Sequence, residues 1–242
     1  EFYSTGLTNT MEFFDNTSDA KGGGIFVTSG ILELENILLD SNKAESGGTL
    51  AIDSDENTSA IINNAILRDN QATYQGGVFY LNSSGPNINL KLKGLEIWDN
   101  KANQSAILYS NYGDVTFQNS MIAGNETDNY PGGILAKNTE LSMINVTMTQ
   151  NEVVENSSGS NLNIEKDSRL KVINSILWEN TNNGREVYLK DDGPIKEVYM
   201  AYSVIRDGQV GIARQDWDIL TYHDSNIEQD PLFISPEDKA SL

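Results

Sequence analysis

An asparagine returns at a nearly regular interval along this chain: Asn16, Asn42, Asn70, Asn100, Asn125, Asn151 and Asn180. The gaps run from 25 to 30 residues. Six residues before each anchor stands a second small or amide residue: Thr10, Asn36, Asn64, Gly94, Asn119, Asn145 and Asn174. That offset never changes while the period does. A short rigid unit therefore alternates with segments that accept insertions, and self-similarity at a period of about 20–50 residues marks a repeat architecture. Paired small residues follow the anchors: Gly23-Gly24, Gly47-Gly48, Gly76-Gly77, Ser105-Ala106 and Gly132-Gly133, loosening at Gly159-Ser160 and Gly184.

Alternation of apolar residues predicts three short strands per repeat. The first carries pairs such as Ala60/Ile62 and Leu90/Leu92. The second carries Ile37/Leu39 and Leu95/Ile97, and the third carries Leu50/Ile52, Val78/Tyr80 and Ile107/Tyr109. Of 44 positions assigned inward in this way, 41 are apolar and three are serine; a 38% apolar chain would give about 17. Three period-two strands in a repeat of this length are satisfied by a coil in which each strand pairs in parallel with its counterpart one coil on. Like residues then stack about 4.8 Å apart. The expectation is an all-β, right-handed parallel β-helix of about seven to eight three-strand coils, the hand following the usual crossover preference. A β-sandwich is the alternative, although it does not require columns of like residues in register. Residues 1–206 read as the solenoid, and 207–242 as an irregular segment that packs on or extends the last coil.

Both asparagine columns read as structural. Asparagine tolerates left-handed corners, and stacked amides can donate and accept along a ladder. The glycine pairs read as corners needing positive φ or close coil approach.

Composition narrows the partners. The 242 residues include no cysteine, which excludes disulfides and thiolate metal sites. The formal charge of −19 makes nucleic acid and anionic lipid poor partners. No stretch approaches the roughly 20 apolar residues of a membrane helix. None of the 35 acidic residues falls in the 44 inward positions, so the charge reads as a coat on an apolar shaft. It favours neutral glycans or protein surfaces over anionic polysaccharides.

Phe13-Phe14-Asp15-Asn16 with Gly23-Gly24-Ile25 resembles the F-x-x-N and G-G-A-[ILV] repeat pair of polymorphic outer-membrane autotransporter adhesins. Asn174-Ser175-Ile176-Leu177-Trp178-Glu179-Asn180 resembles a coil of secreted bacterial right-handed β-helix proteins, as do Tyr202-Ser203-Val204-Ile205 and the Asp230-Pro231-Leu232-Phe233 segment. These resemblances imply the pectate-lyase-like superfold, an extracellular or cell-surface location and a place in a longer polypeptide. A shared fold does not settle function.

The hydrolase pattern of this superfold (N-T-D, D-D, H-G and R-I-K segments) is absent, and the sole histidine, His223, lies in the tail. No catalytic residue is assigned and no cofactor is required. Asp69 and Asp99 occupy equivalent positions on adjacent coils, a candidate calcium pair against the plainer reading of two solvated carboxylates. Asp40, Arg68 and Trp98 form a neighbouring column that predicts an ion pair capped by an Arg–aromatic stack. The third strand is expected to turn Phe26, Phe79, Leu108 and Tyr188 outward, while Trp98 and Trp178 point outward elsewhere. These six are the ligand-binding candidates, provided that the C-terminal segment does not cover the third-strand face. The sequence thus favours a non-catalytic surface module for adhesion, carbohydrate binding or protein binding. The rivals are a polysaccharide lyase or glycoside hydrolase, and a structural stalk.

Overall fold

The structure is a computed structural model describing residues 11–129, 132–154, 161–180, 185–193 and 196–233. Thr10, Gly159-Ser160 and Gly184 of the repeat pattern, and residues 234–242, lie outside them. The chain winds as a parallel β-solenoid of about seven coils. Strand pairs are parallel and in register: Ile37 faces Ala65, and Ala65 faces Leu95. The inward residues form one continuous core, with Leu39, Ile62, Leu67, Ile97 and Met148 all fully buried. Burying each such side chain favours the fold by about 1.5–3 kcal/mol.

In the earlier coils the expected first and second strands are one bent strand, whereas Arg169–Ile173 and Ile176–Trp178, like Glu197–Ala201 and Val204–Ile205, stay separate. Gly30–Asp40, Thr58–Arg68 and Ile88–Trp98 each run through both. The bend falls on the column six residues before the anchors. Asn36, Asn64, Gly94, Asn119, Asn145 and Asn174 all have positive φ, between 49° and 66°. The anchor asparagines themselves do not; the left-handed residue is the one before, as at Asp15, Ser41, Asp69, Asp99 and Gly124. That turn aims each anchor side chain into the core. From Asn42 to Asn180 the anchors are at most 1% exposed. From Asn16 to Asn151 each amide donates to the next Oδ1, as in Asn70 to Asn100 at 2.9 Å and Asn125 to Asn151 at 2.7 Å. The second amide hydrogen goes back to a carbonyl one coil earlier, such as Leu67 for Asn100. Backbone N–H groups complete the pattern, with Asn100 N donating to Asn125 Oδ1. Every rung is satisfied, which matters because an unpaired buried polar group costs about 1–3 kcal/mol.

A fourth, short strand follows the ladder. Lys43–Ser46, Gln71–Gln75, Lys101–Gln104, Glu126–Thr127 and Glu152–Val153 form a separate five-stranded sheet. With Ala44, Ala72, Ala102, Thr127 and Val153 as their buried residues near its start, these segments offer too little alternation to read from sequence.

The third strand corrects the sequence reading. Leu50 pairs with Phe79 and Phe79 with Leu108, while Ala51, Tyr80 and Tyr109 share the outward column. The strand's inward residues are therefore Phe79/Leu81 and Leu108/Ser110, Tyr80 and Tyr109 turn outward, and Val78 and Ile107 remain buried in the core at the corner just before them. A slip of one residue turns every side chain to the other face. The glycines set the register. Gly22, Gly47, Gly76 and Ser105 share positive φ, from 58° to 69°. One residue on, a β-carbon at Gly23, Gly48 or Gly77 would stand 2.3–2.4 Å from a carbonyl of the next coil.

Residues 207–227 add strands to the end of the solenoid. Ile212 pairs with Val187, Ile219–Tyr222 pairs with Glu197–Met200, and Ile227 bridges Val204. This segment continues the coil rather than folding over the third-strand face.

Candidate ligand-binding surfaces

The six sequence candidates do not converge. Phe79 and Leu108 are fully buried, and Phe79 meets Phe117 edge-on at 6.4 Å inside the core. Both leave the candidate set. Phe26 is exposed on the first described coil, while Tyr188 is half-buried on the same column, with Ala51, Tyr80, Tyr109, Leu135 and Asn163 between them. Trp98 and Trp178 also share one column, but Ala123 and Thr149 intervene. Three coils at about 4.8 Å separate the two indoles by roughly 14 Å. Trp98 is partly occupied already: the Arg68 guanidinium lies 5.2 Å from its ring centre and donates to Asp40 at 2.7 Å. This is the ion pair and stack that the column predicts.

The third-strand face is closed along its middle. Ala51, Leu135 and Asn163 are at most 1% exposed. Tyr80 and Tyr109 stack at 5.2 Å with planes 10° apart. Lys21 reaches over Tyr80 at 5.4 Å and Lys137 over Tyr109 at 5.3 Å. The two lysines pair with Asp53 and Glu165 respectively. Burial, followed by the neighbouring Tyr109 and Asp53, pushes the Tyr80 hydroxyl up to about 12. An apolar outward column is here a second, smaller core with a cationic roof.

Asp69 keeps its carboxyl above the ordinary range, chiefly through burial, then through Asp40 and Asp99. Calcium takes about six to eight oxygen ligands. Among the described residues no group of three or more histidine, cysteine or acidic side chains is placed to hold a metal.

The charge coat has gaps. Asp40, Glu165, Glu186 and Asp218 are all at most 5% exposed. Asp40 is answered by Arg68, Glu165 by Lys190 at 3.0 Å, Glu186 by Asn180, and Asp218 by backbone N–H groups of Lys196 and Gln215.

An open surface lies elsewhere, on the outward side of the first strand in the last coils. A groove of about 320 Å³ is lined by two adjacent columns. One runs Glu140, Arg169, Glu197, Ile219; the other runs Ser142, Lys171, Tyr199, Thr221. Arg169 holds both acids of its column, at 2.8 Å from Glu140 and 3.3 Å from Glu197. Tyr199 is 39% exposed beside them. One coil earlier, Asp114 pairs in register with Glu140, and its carboxyl is raised by burial and then by the Glu140 charge. The positions before residue 207 lie between or just before the inward residues of the expected first strand, and Ile219 and Thr221 fall in the segment expected to be irregular. Nothing in a single strand announces that four neighbours make a groove.

Parallel stacking, a buried amide ladder and small-residue corners define a repeat β-solenoid. Residues 10–28 match the Chlamydia polymorphic membrane protein repeat, a repeat of a surface-protein family. The matched segment contains Phe13-Phe14-Asp15-Asn16 and Gly23-Gly24-Ile25, the residues that carry the resemblance, and spans less than one coil of the chain. Comparison with curated proteins and with solved structures gave no match. No helix among the described residues is long and apolar enough to cross a membrane.

Proposed function

We propose that this chain is a surface-displayed solenoid module that binds a neutral glycan through the first-strand groove. The observation that carries the reading is the groove's lining. Hydroxyls of Ser142 and Thr221, the Lys171 ammonium and the Glu140 and Glu197 carboxylates offer donors and acceptors beside an exposed tyrosine ring. Aromatic rings pack on the apolar faces of ligands while polar neighbours orient them. The four formal charges cancel, which suits an uncharged, hydroxyl-rich ligand. The volume lies at the lower end of the roughly 300–1,000 Å³ typical of ligand sites. The matched repeat comes from a surface-protein family, which supports display outside the cell.

The test is retention of the purified chain on an array of neutral and acidic glycans, followed by analysis of the bound glycans for cleavage. Retention without cleavage is expected. Binding to a protein panel alone would replace the glycan with a protein surface, and binding to neither would leave a stalk. A second reading rests on Asp114 and Glu140. Adjacent rungs make the two residues register neighbours, retaining glycosidases use a pair of close carboxyl groups, and burial and then the Glu140 charge raise the Asp114 carboxyl. Cleavage abolished by Asp114→Asn would establish it.

A further inference from the structure

The amide ladder ends on an acid. Asn180 would hand its two donors to an eighth rung, but the residue there is Gly208, which follows the left-handed Asp207 as each anchor follows its own left-handed residue. Glu186 fills the vacancy from its own coil. Its Oε2 accepts the Asn180 amide at 2.9 Å and its Oε1 accepts the Asn180 backbone N–H at 3.3 Å. The side chain is 2% exposed. Its backbone N–H donates to Gly211 O at 3.1 Å, tying it to the 3₁₀ turn Gly208–Gly211 of the last coil. Gly208 and Gly211 are themselves buried.

We propose that Glu186 is a proton-sensitive latch for the last coil: protonated, it stays buried under the Gly208–Gly211 turn, and ionised, it loosens that turn to reach water. The geometry sets the direction. Both carboxyl oxygens accept from Asn180, which favours the anion, whereas burial at 2% exposure with no ion-pair partner among the described residues favours the neutral form. Only the ionised form carries a charge that the dry site must hold. Among the described residues Arg206 favours the anion and Asp207 opposes it, while the Glu228 carboxyl packs on Gly208 of the same turn. Burial outweighs the Asn180 hydrogen bonds and Arg206, holding the carboxyl up to about 7. A folded-state value above the ordinary one means that the closed turn is favoured at mildly acidic pH. That preference is complete below the ordinary value of 4.5, fades as pH rises toward about 7 and is spent just above it. The inference stands whether or not the groove binds a glycan.

Amide hydrogen exchange on the full chain tests it, with protection corrected for intrinsic rates and measured at pH 6 and pH 8.5. With an ordinary carboxylate value in the open state, protection of Glu186 and residues 207–213 should fall about tenfold over this range. Ladder amides such as Asn100 and Asn125 should hold steady, and Glu186→Gln should remove the pH dependence. Unchanged protection in the wild-type chain overturns the latch. So does a fall shared equally by Asn100 and Asn125, or one that persists in Glu186→Gln. Should the variant not fold, the contrast between 207–213 and the ladder within the wild-type chain still decides.

Discussion

Two outward faces of the solenoid invert what their sequences suggest. The third strand turns out Phe26, Tyr80, Tyr109, Leu135 and Tyr188, and would pass for a binding platform. Its middle is nevertheless closed under Lys21 and Lys137. The first strand turns out Glu140, Arg169, Lys171 and Glu197, an ordinary solvated edge by composition, and it forms a groove. Outward apolar residues are covered because exposing them costs free energy. Charged residues stacked in one column pair with each other along it and leave space beside the pairs. Openness is a property of neighbouring coils, not of one strand.

The comparison can be broken most forcefully at Phe79. As a core residue it should cost about 3–5 kcal/mol on Phe79→Ala, read by urea unfolding. An outward residue would stay within about 0.5 kcal/mol. Tyr109→Ala removes half of the stacked pair and should cost about 1–3 kcal/mol while leaving any groove ligand bound. Alkali sharpens the same point. Tyr80 is neutral in the fold and its hydroxyl is raised to about 12, so its contribution is intact below the ordinary value near 10. It should be lost as pH climbs from about 10 to 12, with Tyr80 the late-titrating phenol in an ultraviolet titration and that late step missing in Tyr80→Phe. The roof itself is cheap. Lys21→Met should cost less than about 1 kcal/mol, since the Lys21–Asp53 pair is partly exposed.

How far the sequence could be read follows from the same residues. The anchor asparagines, the invariant offset of six and the stacked Leu and Ile pairs define the solenoid, because those positions face one core in every coil. The third-strand register was ambiguous where apolar residues run together: Val78-Phe79-Tyr80-Leu81 and Ile107-Leu108-Tyr109 satisfy both alternations. What decides between them is backbone geometry. In Gly22-Gly23-Gly24 only Gly22 carries the left-handed φ, so pairing Gly23-Gly24 with Gly47-Gly48 places the corner one residue late. The Arg68–Trp98 stack was legible because both partners sit in one column. The groove was not, because it requires two columns and four coils at once. The Glu186 latch was hidden for a related reason, since a missing asparagine at Gly208 says nothing of which side chain takes its place.

The central claim is that the closed face supports the fold and the open groove supports binding. Glycan retention by Tyr199→Ala and Tyr109→Ala, each compared with the wild-type chain, tests it most directly. The account predicts that Tyr199→Ala loses at least about tenfold in affinity, worth about 1.4 kcal/mol, with a melting temperature close to wild type. It predicts the opposite for Tyr109→Ala, a lower melting temperature with retention intact. Retention unchanged by Tyr199→Ala, or lost instead in folded Tyr109→Ala, would contradict it.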